Sequence, residues 1–237
     1  PAKRQNLLFS ATMPPKIRQL ARQILHEPVE INIAISKPPE KIIQKAYVVY
    51  EPQKMPLIKK LLREIPYKNA LIFCSRKQTV KEVRRELKQA GFSIEEIHSD
   101  LEQSQRESVL GAFASGRIPL MVATDILSRG IDIDTIDLVI NWDVPGDGED
   151  YVHRIGRTAR AEADGAAFTL IGDKEQGKFA AIERLLEKEV EKAQVPAELG
   201  ETPEYNPRAR NHQGHHGDRR GGHPKKKFFR NGPGGSR

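Results

Sequence analysis

The sequence predicts an α/β fold: a parallel β-sheet with helices on both faces, followed by a disordered basic tail. Three observations lead there. Short apolar runs such as ALIFC and PLMVA lack polar alternation, the pattern of strands buried on both faces. Segments with helical apolar spacing fall between those runs, as parallel strands joined by crossovers require. From about Glu198 onward the pattern dissolves. HQGHHGDRRGGHPKKKFFRNGPGGSR has almost no aliphatic residue and cannot bury enough to offset the cost of ordering.

The elements read in order as follows. NLLFSAT is a short strand running into a small-residue turn. PPKIRQLARQIL is a helix with a proline start and Ile17, Leu20, Ala21 and Ile24 at helical spacing. VEINIAI alternates like a strand, and SKPPEK, two prolines among charges, is a linker. IIQKAYVVY is a strand, QKMPLIKKLLREI a helix and NALIFCS a buried strand. QTVKEVRRELKQAG is a helix with Val80, Val83 and Leu87 on one side and Gly91 as its stop. SIEEIHS is a strand, QSQRESVLGAFASG a glycine-closed helix and IPLMVAT a strand. DLVINWDVP is a strand stopped by Pro145, and GEDYVHRIGRTAR starts as helix. GAAFTLI is a strand, and KFAAIERLLEKEVEKA is a final helix running to its end.

Composition narrows the class. Tyr205–Arg237 holds nine Lys or Arg and one acid, Asp218, a net charge of +8. The whole chain is +7, so residues 1–204 sum to about −1 and the basic balance belongs to the tail. A basic, Gly- and His-rich tail is expected to meet a polyanion. The one cysteine, Cys74, excludes an internal disulfide or a cysteine-based zinc site and reads as a buried structural thiol. No apolar run reaches the roughly 18 residues that span a bilayer, so no membrane partner is expected. A chain opening on Pro1 with no charged-then-apolar leader is expected to be an intracellular, cytoplasmic piece of a longer protein. The tail histidines, HQGHH and His223, are expected to add weak positive charge rather than to hold a metal.

Ligands of parallel sheets bind beyond the carboxyl ends of the strands, and polar residues collect there. ATDILSRGIDI offers Thr124, Asp125, Arg129, Gly130 and Asp132, a density of polar groups that a plain loop does not need, and a functional stretch is expected over the alternative, a turn in which Thr124 or Asp125 caps the next helix. HSDLEQSQRE places His98 at a strand end and Gln103 and Arg106 on the first turns of a helix. FCSRK places Ser75 and Arg76 at another strand end. Hydroxyls, amides and arginines in such positions hold phosphates well. GDKEQGK has phosphate-loop glycine spacing, but Phe179 follows where a hydroxyl should, and Asp173 and Glu175 would repel phosphate. No phosphate loop is expected. In YVHRIGRTAR, Arg154, Arg157 and Arg160 recur every third residue. Asp150 could pair with Arg154 for a few tenths of a kcal/mol. Arg157 and Arg160 have no acid four residues before them, so an anion from outside the chain is expected.

Five segments in order, SAT at Ser10–Thr12, LIFCSR at Leu71–Arg76, QSQR at Gln103–Arg106, ATDILSRGIDI at Ala123–Ile133 and YVHRIGRTAR at Tyr151–Arg160, resemble the DEAD-box ATP-dependent RNA helicases. The resemblance covers about residues 1–195. It implies that residues 1–36 end a first RecA-like domain, that 37–198 form the second, RecA-like helicase C-terminal domain, and that 199–237 are a tail of the bacterial type. It implies ATP and Mg2+ held mainly by the first domain, whose phosphate loop and Asp-Glu-Ala-Asp motif this chain lacks, so that the chain alone is expected to be inactive. Arg157 and Arg160 are then arginine fingers for the γ-phosphate, and His153 and Arg154 link to the first domain. Ser10 and Thr12 couple hydrolysis to closure. Asp132, with Gly130, lies on the ATP ribose side. Ser75, Arg76, Gln103, Arg106, Thr124 and Arg129 follow the RNA backbone, and no metal ligand is implied here. Ribosome- or RNA-degradation-associated proteins are further expected partners. Two departures stand out: Ala159 replaces the usual glycine of GRTGR, and Ser99 replaces that of HGD. A non-enzymatic RNA-binding module dominated by the tail is the alternative.

Overall fold

The structure is a computed structural model and describes residues 4–10, 13, 15–31, 42–125, 136–158 and 165–208. Seven strands form one sheet in the order β3-β4-β2-β5-β6-β1-β7. They are β1 Ile42–Val49, β2 Ala70–Phe73, β3 Ile94–Ile97, β4 Leu120–Ala123, β5 Leu138–Asn141, β6 Gly165–Gly172 and β7 Glu191–Lys192. Every pairing is parallel, with Phe73 opposite Ala123 on one side and Asn141 on the other. The described helices are α1 Pro15–Ile24, α2 Glu51–Glu64, α3 Lys77–Gln89, α4 Gln103–Ala114, α5 Gly148–Ile155 and α6 Gln176–Leu186.

The period-2 geometry of a strand splits the core in two. Ala70, Ile72 and Cys74 point to the face covered by α2 and α3, through Leu57, Ile58, Leu61, Val80, Val83 and Leu87. Leu71 and Phe73 point to the opposite face, where Phe113 of α4, Tyr151 and Ile155 of α5, and Phe179, Ile182 and Leu186 of α6 pack. Both faces of β2 are therefore sealed, and none of its four residues is exposed. That is why its sequence shows no alternation. Each such side chain contributes about 1.5–3 kcal/mol of transfer free energy. Gly91 and Gly116, at φ +88° and +71°, close α3 and α4 in the left-handed region that glycine adopts without strain. Among the described residues no helix is long and apolar enough to cross a membrane.

Three expectations need correction. Asn6–Ser10 and Val29–Ile31, the described parts of two expected strands, have no regular structure. A strand needs a neighbour for its backbone groups, and Leu7, Phe9, Val29 and Ile31 are exposed, with nothing to pack on. The last helix ends at Leu186, not in the 190s, with Glu187 at φ +51°. Val190 is buried in the cluster with Phe179, Ile182 and Leu186, and the next two residues, Glu191 and Lys192, pair with β1 as β7. The domain also continues beyond 198. Gln53 of α2 donates to the carbonyls of Leu199 and Glu201, and Tyr205 donates to Glu183 at 2.7 Å. Residues 209–237 and the expected linker lie outside the described residues.

Candidate functional site

All strands run the same way, so their carboxyl ends share one rim, with β3, β4, β2 and β5 side by side. Ser75 and Arg76 follow β2 and are exposed, Arg76 as the residue before α3. Gln103 opens α4, one loop past β3. Arg106 lies a turn further on and donates from Nη2 to the Ser99 carbonyl at 3.0 Å. Thr124 follows β4, 8% exposed, and its Oγ1 has no hydrogen-bond partner among the described residues. Five of the six residues expected along the RNA backbone thus meet on adjacent strand ends. The sixth, Arg129, lies outside the described residues, as do Thr12, Gly130, Asp132 and Arg160.

The loop between β3 and α4 is pinned to α3. Asp100 accepts from Lys77 at 2.8 Å and from Lys81 at 2.9 Å, and these two hydrogen bonds lower its carboxyl to about 2. His98 is buried, and its Nδ1 accepts from the Asp100 amide at 3.2 Å.

Arg154 departs from expectation. It is 1% exposed, and the carboxylate that grips it is neither Asp150 nor a foreign anion but Asp125, 29 residues earlier. Nε and Nη2 donate to the two oxygens of Asp125 at 2.5 and 2.6 Å, a fork on a fork. Nη1 donates to Asn141 Oδ1 at 3.2 Å and to the Asp143 carbonyl at 3.1 Å, and the guanidinium lies 5.3 Å from the Phe73 ring centre. A cation so enclosed is engaged within its own domain. Removing one member of such a pair leaves a buried charge alone.

A second buried cation has no signal in the sequence. Lys54 of α2 is 1% exposed, 2.9 Å from Glu51, 3.6 Å from Glu175 and 3.7 Å from Asp143, and it lies 5.7 Å from the Trp142 ring centre. Burial pulls its pKa down, but the Glu51 hydrogen bond and the charges of Glu175, Glu51 and Asp143 outweigh burial and raise it. Glu175 is raised by its own burial, with Lys54 acting the other way. Its carboxylate accepts from the Gly172 and Val144 amides, each at 3.2 Å. Glu175 thus occupies the amide of Gly172, the first glycine of GDKEQGK, with its own carboxylate. Burial, foremost, raises the Cys74 thiol well above its ordinary value, as expected of a structural cysteine.

Arg157 lies just past α5. Its amide donates to the Arg154 carbonyl at 3.2 Å, and its own carbonyl accepts from Ile136 at 3.3 Å, ahead of the Ile136–Thr158 bridge. The backbone that carries Arg157 is thus held at both ends. His153 is half-buried, with Nδ1 enclosed and unpartnered among the described residues. Ser10 is exposed in the segment without regular structure. Among the described residues no group of three or more His, Cys, Asp or Glu is placed to hold a metal ion.

Residues 53–162 match the helicase conserved C-terminal domain family. The chain is 40% identical over 197 residues to the ATP-dependent RNA helicase CshA of Listeria monocytogenes, covering 83% of this chain and 38% of that protein. The structure of the E. coli DEAD-box protein SrmB, bound to regulator of ribonuclease activity A, superposes with a TM-score of 0.64 at 31% identity. That match covers 70% of this chain and 99% of the SrmB chain. The chain belongs to the DEAD-box helicase family. Among other DEAD-box structures, S. cerevisiae Dbp5 bound to RNA and ADP BeF3 superposes with a TM-score of 0.72 at 27% identity, over 80% of this chain and 51% of that one. The fold is that of the RecA-like C-terminal domain of DEAD-box proteins. The chain spans well under half the length of CshA, and the site described above is the share of a DEAD-box protein that these residues can contribute.

Proposed function

We propose that this chain is the second half of an ATP-dependent RNA helicase that separates short RNA duplexes locally. The observation that carries the reading is the convergence of Ser75, Arg76, Gln103, Arg106 and Thr124 on adjacent strand ends, in a chain of DEAD-box descent. Donors of this kind suit a sugar-phosphate backbone and carry no base identity. Little sequence preference follows.

ATP and Mg2+ sit mainly on the first domain in this reading. Arg157 and Arg160 reach across the cleft to the γ-phosphate, where a planar, always-charged donor meets the charge that develops on the phosphoryl oxygens. Asp132 and Gly130 lie on the ribose side. His153 faces the first domain. Arg154 acts behind Arg157, by fixing α5. Ser10 and Thr12 couple hydrolysis to closure. ATP and RNA together close the cleft, closure bends one strand out of duplex geometry, and product release reopens it.

The test is Arg157→Ala in the intact protein, with its first domain. RNA-stimulated ATP turnover should fall on the order of 10³-fold or more, while the thermal unfolding of the protein stays within a few degrees of the parent. Near-normal turnover would remove Arg157 from the finger role. The chain on its own, 1–237, should show no ATP hydrolysis; measurable turnover by the pure chain would mean that it holds a nucleotide site of its own.

A further inference from the structure

Asp143 stands where two parts of the rim meet. On one side is the loop after β2. The Ser75 amide donates to Asp143 Oδ2 at 2.8 Å, and just before it the Trp142 amide donates to the Phe73 carbonyl at 2.9 Å. β5 thus follows β2 past the end of the regular pairing and finishes with a carboxylate on the loop. On the other side is α5, whose Arg154 donates from Nη1 to the Asp143 carbonyl at 3.1 Å. From below, Lys54 approaches Oδ1 at 3.7 Å, itself held by Glu51 and Glu175, and Glu175 accepts from the amide of the next residue, Val144. One residue therefore touches both the Ser75–Arg76 loop and the helix that leads into Arg157, through its carboxylate and its backbone oxygen respectively.

We infer that Asp143 is a positioning residue: it fixes the register of the Ser75–Arg76 loop relative to α5, so that RNA held at the loop and the arginine at the end of α5 are placed by one rigid unit. The inference rests on the functional reading above, in which Ser75 and Arg76 meet RNA and Arg157 meets ATP. Its physical content is narrow. The Cys74 amide is held by the Ala123 carbonyl and the Arg76 carbonyl by the Val80 amide, and the charge-assisted hydrogen bond from Ser75 to Asp143 fixes the residue between them. The buried Lys54 aims the carboxylate by holding its other oxygen.

The experiment compares Asp143→Ala, Asp143→Asn and the parent in the intact protein, by titrating ATP turnover with single-stranded RNA. Asp143→Ala should raise the RNA concentration for half-maximal stimulation about tenfold, the scale of one lost charge-assisted hydrogen bond, and should also lower turnover at saturating RNA. Asp143→Asn keeps an acceptor oxygen for the Ser75 amide and should recover part of the RNA response. A merely structural role would lower the melting temperature and leave the RNA titration of the folded protein unmoved. Hydrogen exchange gives a second measurement if Asp143→Ala folds poorly: in Asp143→Asn the Ser75 amide should exchange faster while those of Leu71 and Ile72 keep their protection. RNA titrations that superpose on the parent's, or unchanged Ser75 exchange, overturn the inference alone. A parent protein whose turnover ignores RNA overturns the functional reading, and this inference with it.

Discussion

Arg154 and Asp125 meet edge to edge, at 2.5 and 2.6 Å, with the guanidinium shielded from water. The pair joins the segment after β4 to α5, the helix that leads into Arg157. An arginine that looks, by spacing, like one of three equivalent cations is thus different from Arg157 in kind. It holds the scaffold, and the others keep the chemistry proposed for them.

Removing Asp125 should cost about 3–5 kcal/mol, because the Arg154 charge is then left buried without its counterion. Urea unfolding of Asp125→Ala should show that loss. Arg154→Lys should not restore stability, since an ammonium cannot reproduce the two-pronged contact. Replacing both residues together by apolar ones of similar volume should cost far less than either single change. A double mutant as unstable as the sum of the singles would show that the pair is not a unit.

Asp100 should write a specific acid limb into the stability curve. Its folded pKa of about 2 lies below the ordinary 3.8, through hydrogen bonds from Lys77 and Lys81. A depressed carboxylate stabilises the fold above its unfolded pKa and loses that contribution as pH falls through the folded value. The parent should therefore melt higher than Asp100→Asn at pH 5, and the gap should close between about pH 4 and 2. A gap that persists unchanged at pH 2 would refute the ion-pair origin.

The sealed sheet predicts a sharp contrast between two isoleucines. Ile72, at the centre of β2, has no exposure, whereas Ile43 in β1 is 56% exposed. Ile72→Ala should cost about 2–5 kcal/mol by lost transfer and a residual cavity. Ile43→Ala should stay within about 0.5 kcal/mol. Chemical denaturation of the two variants checks both values.

Residues 209–237 contain eight Lys or Arg and one acid. If they engage RNA through its phosphates, their deletion should weaken binding to single-stranded RNA. It should also flatten the dependence of log affinity on log salt, by about 0.7 for each phosphate that is no longer neutralised. Unchanged affinity and slope would place RNA binding wholly on the folded domain. Near-complete loss would favour a module anchored by the tail.

Much of the architecture was legible because local and global signals agree. Unbroken apolar runs marked the doubly buried strands, and Gly91 and Gly116 marked the helix ends. The positions of Ser75, Arg76 and Thr124 just past β2 and β4 were legible because polar residues directly follow the unbroken apolar runs. What failed was non-local or depended on neighbours. Nothing near Arg154 in sequence points to Asp125. Lys54 lies in a helix whose sequence does not mark it as buried, and beside Glu51 of the same helix it is Asp143 and Glu175, from two other strand ends, that make its burial tolerable. Asn6–Ser10 has the composition of a strand, yet it joins no sheet among the described residues. Val190 carries the apolar rhythm of the preceding helix and packs in the same cluster as Phe179, Ile182 and Leu186, yet the helix has already ended and the next two residues pair with β1.

The strap formed by residues 199–208 has one more effect. Gln176, the first residue of α6, receives the Asn206 amide and donates to the Glu204 carbonyl, at 2.6 and 2.9 Å. α6 starts directly after the carboxyl end of β6, so the polypeptide is tacked down beside the rim just before Arg208. If the following residues grasp a polyanion, as proposed, it meets the rim at an effective concentration set by covalent linkage, not by bulk solution. Contacts too feeble to matter in isolation become avidity, and their leverage depends on a glutamine amide that touches no ligand at all.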